Sequence, residues 1–230
     1  MNRRHFMLIA AALAVPPVPG WAQDARTGLA VLPFENGGSY GKDKEDFDAL
    51  RRGLAAMLIS ELSQSQAVRL VDRERIQTLL DEQGLAAAER VDAATAAKIG
   101  KLVAVRYMIA GTFIDLYGDF RIDARIIDVE NGEIKKVVRS DPKLSDRKQM
   151  FRIVQSVAER IMQGVSVPPL AAGGTRSREI PAEAVALFSR ALLYQDRGEK
   201  QRAIDFYGKA IAAFPDYAEA QEGLKRLRGS

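Results

Sequence analysis

Residues 107–139 read YMIAGTFIDLYGDFRIDARIIDVENGEIKKVVR, and the fold class turns on this stretch. Apolar and charged side chains alternate along it, with Phe120, Ile122, Ala124 and Ile126 on one side and Arg121, Asp123 and Arg125 on the other. A period of two sends successive side chains to opposite faces, so the spacing predicts a strand with one dry face and one face meeting water. Tyr117-Gly118-Asp119 and Asn131-Gly132 interrupt the pattern with turn residues. Asn-Gly is the stronger two-residue hairpin signal, because both residues accept positive φ. Three consecutive strands are therefore expected over 107–116, 120–129 and 133–139.

Upstream, residues 29–34 (LAVLPF) have the look of a buried strand that Asn36-Gly37-Gly38-Ser39 breaks. Phe47, Leu50, Leu54, Met57, Leu58 and Leu62 recur at helical spacing over 46–65, which predicts an amphipathic helix against the sheet. A second strand is expected at 68–71. A helix with Ile76, Leu79 and Leu80 inward follows over 73–83, stopped by Gly84, and Asp92 suits the N-cap of another over 93–101. Downstream, residues 145–163 carry Phe151, Val154, Val157, Ala158 and Ile161 on one helical stripe. The order β-α-β-α-α-β-β-β-α predicts an α+β fold, one sheet with helices packed on it.

Residues 165–180 (VSVPPLAAGGTRSREI) lack periodicity and concentrate proline and glycine, the composition of a linker. Beyond them the chain turns Ala-rich and helical, with helices expected at 184–193, 201–214 and 216–227. At the other end, Arg3 and Arg4, an apolar run over 7–15 and the small residues Gly20 and Ala22 make a secretory signal peptide cleaved after Ala22. The run is too short to cross a bilayer, and Arg3-Arg4-His5-Phe6-Met7 also resembles the twin-arginine export motif, so general secretion and twin-arginine export both stay open. With no cysteine to lipidate, the expected mature chain is free in the periplasm and has no integral membrane segment. The organisation expected is a signal peptide over 1–22, an α+β domain over 23–164, a linker over 165–180 and a helical unit over 181–230.

Composition narrows the chemistry. The chain has 230 residues, 47% apolar and 28% charged, with no cysteine and one histidine, His5, which would leave with the leader. Ser-His and Cys-His catalysis and Cys- or His-built zinc sites are thereby excluded from the mature chain, and any enzyme chemistry would rest on carboxylates, Lys, Tyr, Ser or Thr. The net charge of +4 falls to +2 without Arg3 and Arg4, and charges of both signs intermix, as in Asp72-Arg73-Glu74-Arg75. This is no nucleic-acid footprint.

Two patterns invite chemistry and lack its requirements. Residues 36–43 (NGGSYGKD) end in Gly-Lys between a strand and a helix, but a phosphate loop needs glycine where Asn36 stands and a hydroxyl where Asp43 stands. A flexible surface loop is expected. The pairs Asp115/Asp119 and Asp123/Asp128 flank the hairpin, where they read as a polar strand face rather than an acid and base across a cleft. Neither a catalytic residue nor a cofactor or metal site is expected.

Setting Ala203 at the small position of a tetratricopeptide repeat puts Leu187, Ala191, Tyr194, Gly198, Tyr207, Ala210 and Pro215 on that repeat's other preferred positions. Residues 184–217 thus resemble one such unit, with 216–227 as its cap helix. The resemblance implies protein binding, with Leu187, Tyr194, Tyr207 and Tyr217 as candidate partner-binding residues. A single unit offers little concave surface, so it is expected to dock on the first domain, a second copy or a partner helix.

Residues 29–34 (LAVLPF), 71–82 (VDRERIQTLLDE), 105–113 (VRYMIAGTF) and 126–134 (IIDVENGEI), taken in order, resemble the CsgG family, the curli production assembly and transport component, with related domains in TolB N-terminal-like and LpoB-like envelope proteins. That likeness implies a non-catalytic role in envelope assembly or secretion, a protein partner, and homo-oligomerisation by analogy. The curli channel inserts long membrane hairpins where this chain has Tyr117-Gly118-Asp119 and, after Arg139, only Ser140-Asp141-Pro142-Lys143. A spanning strand needs about 9 to 11 residues, so a pore is not expected from this chain alone. The rival readings are a pore or ring subunit of a curli-like secretion channel and a carboxylate-dependent cell-wall hydrolase. Regulation of a cell-wall synthase, as in LpoB-like proteins, is a variant of the binding reading.

Overall fold

The computed structural model describes residues 25–39, 44–85, 90–168 and 179–229; the expected leader and most of the expected linker lie outside them. Strand β1 (Thr27–Val31) is apolar on both sides because helices cover both sides of it. It is parallel to β3 (Val68–Leu70) on one side and β4 (Tyr107–Leu116) on the other. A two-residue strand β2 (Glu35–Asn36), unforeseen in the sequence, continues along β4. Strands β5 (Asp119–Asp128) and β6 (Ile134–Arg139) add antiparallel, for the order β3-β1-β4-β5-β6.

Helices α1 (Lys44–Ser63) and α4 (Met150–Gly164) cover one face, closing a core with Leu29, Val31, Ile109, Phe113, Phe120, Ile122 and Ile126. Helices α2 (Arg73–Glu82) and α3 (Ala93–Leu102) cover the other, against Ala30, Leu32, Met108, Ala110 and Ile127. The chain thus has a mixed sheet with helices packed on both faces. Gly84, at φ +68°, ends the α2 segment as expected, and the Asp92 carboxylate accepts the Thr95 amide at 2.7 Å to start α3. The expected helix from residue 145 begins instead with a short 3₁₀ turn, Arg147–Gln149, set by the Asp146 carboxylate accepting the Lys148 amide, and turns α-helical at Met150.

The two hairpins exchange roles relative to the sequence reading. Leu116 pairs with Asp119, so Tyr117 and Gly118 alone make the two-residue turn, both at positive φ (57° and 92°). Asn131-Gly132 belongs to a longer loop, 129–132, closed by the Asp128 amide donating to the Glu133 carbonyl and the Gly132 amide donating to the Asp128 carbonyl, both at 2.9 Å, and the pairing of β5 with β6 bulges at Ile126/Ile127.

Helices α5 (Ala182–Asp196) and α6 (Lys200–Ala213) form an antiparallel hairpin turned at Gly198, φ +74°, and α7 (Ala218–Gly229) follows. Ala191, Ala203 and Ala210 are fully buried, which lets the helices approach closely. Helix α5 lies along α1, and the apolar contacts run unbroken from the sheet through α1 to Tyr217. Val165 and Ile180, at the two ends of the expected linker, are both buried in this shared core.

Candidate binding surface

Strand β6 is one edge of the sheet, with no strand beyond it among the described residues. Ser140 fixes its register by donating its amide to the Ile122 carbonyl at 2.8 Å and accepting the Ile122 amide on its hydroxyl at 3.2 Å. With Ser140, Val138 and Lys136 turned toward β5, antiparallel alternation turns the amide and carbonyl of Val137 and Arg139 outward. Only Val138 of the six residues is buried; Val137 is 51% exposed.

Helix α4 overhangs this edge. Its apolar stripe of Phe151, Val154, Val157, Ala158 and Ile161 is buried on the sheet, as the spacing predicted. Gly164 allows the close approach: a Cβ there would lie 2.4 Å from Ile126 Cδ1. Ser156, Glu159, Arg160 and Gln163 on the flank of α4 then face Lys136 across an open groove of about 670 Å³, whose edge Val137, Arg139 and Asp141 also line. Lys136, Arg139 and Arg160 have no ion pair among the described residues. Sequence reasoning missed this groove; the basic Lys135, Lys136 and Arg139 on the last strand of a meander were the available signal.

The opposite face of β5 is less wet than expected. Arg121 is 59% exposed, but Arg125 folds onto Glu35 at 2.9 Å, and Glu35 also accepts the Val91 amide. Asp115 is buried beside Arg147 at 3.2 Å, and Asp128 pairs with Arg106 at 2.9 Å. Of the carboxylates that the sequence singled out, Asp115, Asp123 and Asp128 are thus engaged in separate ion pairs, and Asp119 is exposed. At the glycine-rich stretch, the Asn36 side chain accepts the amides of Gly38 and Ser39, while residues 40–43 lie outside the described residues. No group of three or more His, Cys, Asp or Glu side chains that could hold a metal occurs among the described residues, and no helix of theirs is long and apolar enough to cross a membrane.

Of the candidate partner residues, Leu187 is half-buried, and Tyr194, Tyr207 and Tyr217 are interior. Phe188 stands 4.9 Å from Tyr217 and 6.0 Å from Tyr207, centroid to centroid. The Tyr194 hydroxyl donates to Glu45 at 2.7 Å, under the Arg202 guanidinium, and the Tyr207 hydroxyl donates to Gln195 at 2.6 Å. Burial pushes both phenols above their ordinary range, with the Glu45 carboxylate adding to the effect at Tyr194. All three tyrosine rings are therefore covered by this chain itself.

What covers them is the seam between α1, α2 and the C-terminal helices. Asp196, at the end of α5, takes Arg52 of α1 at 2.7 Å and Arg73 of α2 at 2.9 Å, with side chains only 7% (Asp196) and 8% (Arg73) exposed. Burial works against the Arg73 cation, but the Asp196 charge, helped by Glu74, outweighs it and holds the guanidinium above its ordinary range. Arg190 pairs with Asp46, Ser60 with Glu219 and Arg226 with Glu74 along the same seam.

The family model described as curli production assembly/transport component CsgG matches residues 23–121. No curated protein matches the chain. Among solved structures, TolB from Acinetobacter baumannii is similar at 14% identity and a TM-score of 0.41, over 63% of this chain and 29% of that one. The chain thus spans under a third of that protein. The solution structure of Escherichia coli LpoB is similar at 14% identity and a TM-score of 0.40, over 60% of this chain and 78% of that one. The PelC dodecamer from Paraburkholderia phytofirmans is similar at 13% identity and a TM-score of 0.34, over 64% of this chain and 92% of that one.

Proposed function

We propose that this chain is an exported, non-catalytic protein of the bacterial envelope that binds other proteins during assembly or secretion. The observation that carries the reading is the CsgG family match over residues 23–121. The overhung edge of β6 supports it by offering unpaired backbone groups to a partner, a common route of protein recognition. A role as a tetratricopeptide-like unit for α5 and α6 is supported by the buried alanines 191, 203 and 210 and by Pro215 just after α6. In this reading the unit docks on the α1 side of the first domain and braces it.

A channel subunit fits less well. The turn between β4 and β5 is two residues, and residues 140–146 alone separate β6 from the next helical turn, against roughly 9 to 11 residues for each spanning strand. The test is site-specific crosslinking in cells, with a photoreactive residue at Val137 of the full chain and a second at the exposed Lys101 as control. Recovery of an envelope protein from the Val137 position only is the expected result; recovery of none from either position refutes the binding reading.

A further inference from the structure

We infer that the groove between β6 and α4 accepts an extended, acidic segment of a partner protein as an added strand, an inference that rests on the binding role proposed above and names the chemistry of the partner. Val137 and Arg139 present outward amides and carbonyls at the spacing a new strand needs. Lys136 lies on the α4 side of the sheet, its side chain beside Gly164, and Arg160 hangs over the same lane from α4. Val137 lies on the other side, half exposed and uncovered.

An added strand alternates its side chains between these two environments. One set faces Lys136 and Arg160, the other faces Val137 with Arg139 beyond it, so the matching sequence is acidic with an apolar residue set against Val137, as an alternation of carboxylate and apolar residue provides. Asp141 and Glu159 share the groove, but the Asp141 carboxylate accepts the Lys143 amide at the strand's end, and Glu159 has a partner of its own. With three cations against these two carboxylates, the groove is net basic. A second copy is the disfavoured occupant: β6 (IKKVVR) carries three cations and no carboxylate, so two copies paired edge to edge bring like charges together, which destabilises a strand pair.

The test uses the full chain and a fluorescent peptide of about eight residues alternating Glu and Val, with a Lys-Val peptide of equal length as control. The Glu-Val peptide is expected to bind saturably and to slow hydrogen exchange at the Val137 and Arg139 amides, while the control does neither. Lys136→Glu combined with Arg160→Glu, both at surface positions, should weaken binding about tenfold. Val137→Pro removes one outward donor while sparing the bonds to β5, and should abolish binding with the urea midpoint retained. Equal binding of both peptides, binding of neither, or binding without protection of the two amides overturns the inference. Self-association that Val137→Pro abolishes also overturns it, assigning the edge to a second copy. If the peptide fails while the Val137 crosslink still recovers an envelope protein, the acidic strand falls and the binding role stands.

Discussion

Gly53 and Ser189 sit against each other at the crossing of α1 and α5, so close that a Cβ on Gly53 would lie 1.8 Å from the Ser189 hydroxyl oxygen. The seam that joins the two parts of the chain closes at this point. Gly53→Ala should cost about 1–2 kcal/mol in urea unfolding, the overpacking penalty less the gain in helix propensity. The same change should cost less beside Ser189→Ala, and that coupling separates a steric clash from a backbone effect.

Asp196 holds two arginines at the seam, and its removal leaves both without their shared carboxylate. Asp196→Ala should destabilise the chain by about 3 kcal/mol, whereas Arg73→Met, which removes a buried cation and keeps its bulk, should cost far less. Denaturation midpoints of the two variants, measured side by side, decide this.

Tyr207 gives the stability a slope in alkali. Its phenol is raised above the ordinary value near 10, so from pH 10 upward the unfolded chain sheds protons that the folded chain keeps, and stability falls with rising pH. The contribution is complete below pH 10. Tyr107, lowered by its hydrogen bond to Lys135, acts in the opposite sense, so the informative quantity is the difference a Tyr207→Phe variant makes. That variant should lose about 1 kcal/mol at neutral pH with the Gln195 bond and show a shallower decline above pH 10.

Tyr117 occupies a left-handed turn position, φ +57°, with its ring fully exposed beside Gly118. Tyr117→Asn creates the Asn-Gly pair this turn favours and should stabilise by about 0.5–1 kcal/mol, raising Tm by about 2 °C.

Gly111 and Gly208 should answer alanine in opposite ways. A Cβ at Gly111 would lie 2.1 Å from the buried Phe34 ring, so Gly111→Ala should cost about 3 kcal/mol. Gly208, on the exposed side of α6, has open space around it, so Gly208→Ala should gain about 0.5–1 kcal/mol. Thermal unfolding of both variants checks the contrast.

Local chemistry made much of the fold legible. The alternation around Phe120, the stripe from Phe151 to Ile161 and the Asp92 cap each concern groups a few residues apart, whose interactions are written into their spacing. Asn131-Gly132 misled because the loop closes between Asp128 and Glu133 over four residues, with Gly132 at positive φ and Asn131 not. The interior tyrosines were picked out by pattern, but a pattern marks a ring as large and apolar without saying which surface covers it.

The candidate surface was less legible still. Lys136 and Arg160 are neighbours because Gly164 lets α4 descend onto β5 and because, among the described residues, β5 is the one strand that pairs with β6. The linear chain by itself determined most of the strands and helices, though not the short β2, and that no thiol or imidazole follows His5. The tertiary structure decided the strand order, the burial of Asp196 between Arg52 and Arg73, and the open edge under α4. Periodicity is a short-range property of one segment, whereas these features depend on which segments meet though far apart along the chain, by as much as the 144 residues between Arg52 and Asp196, where packing and charge pairing are settled only by the folded arrangement.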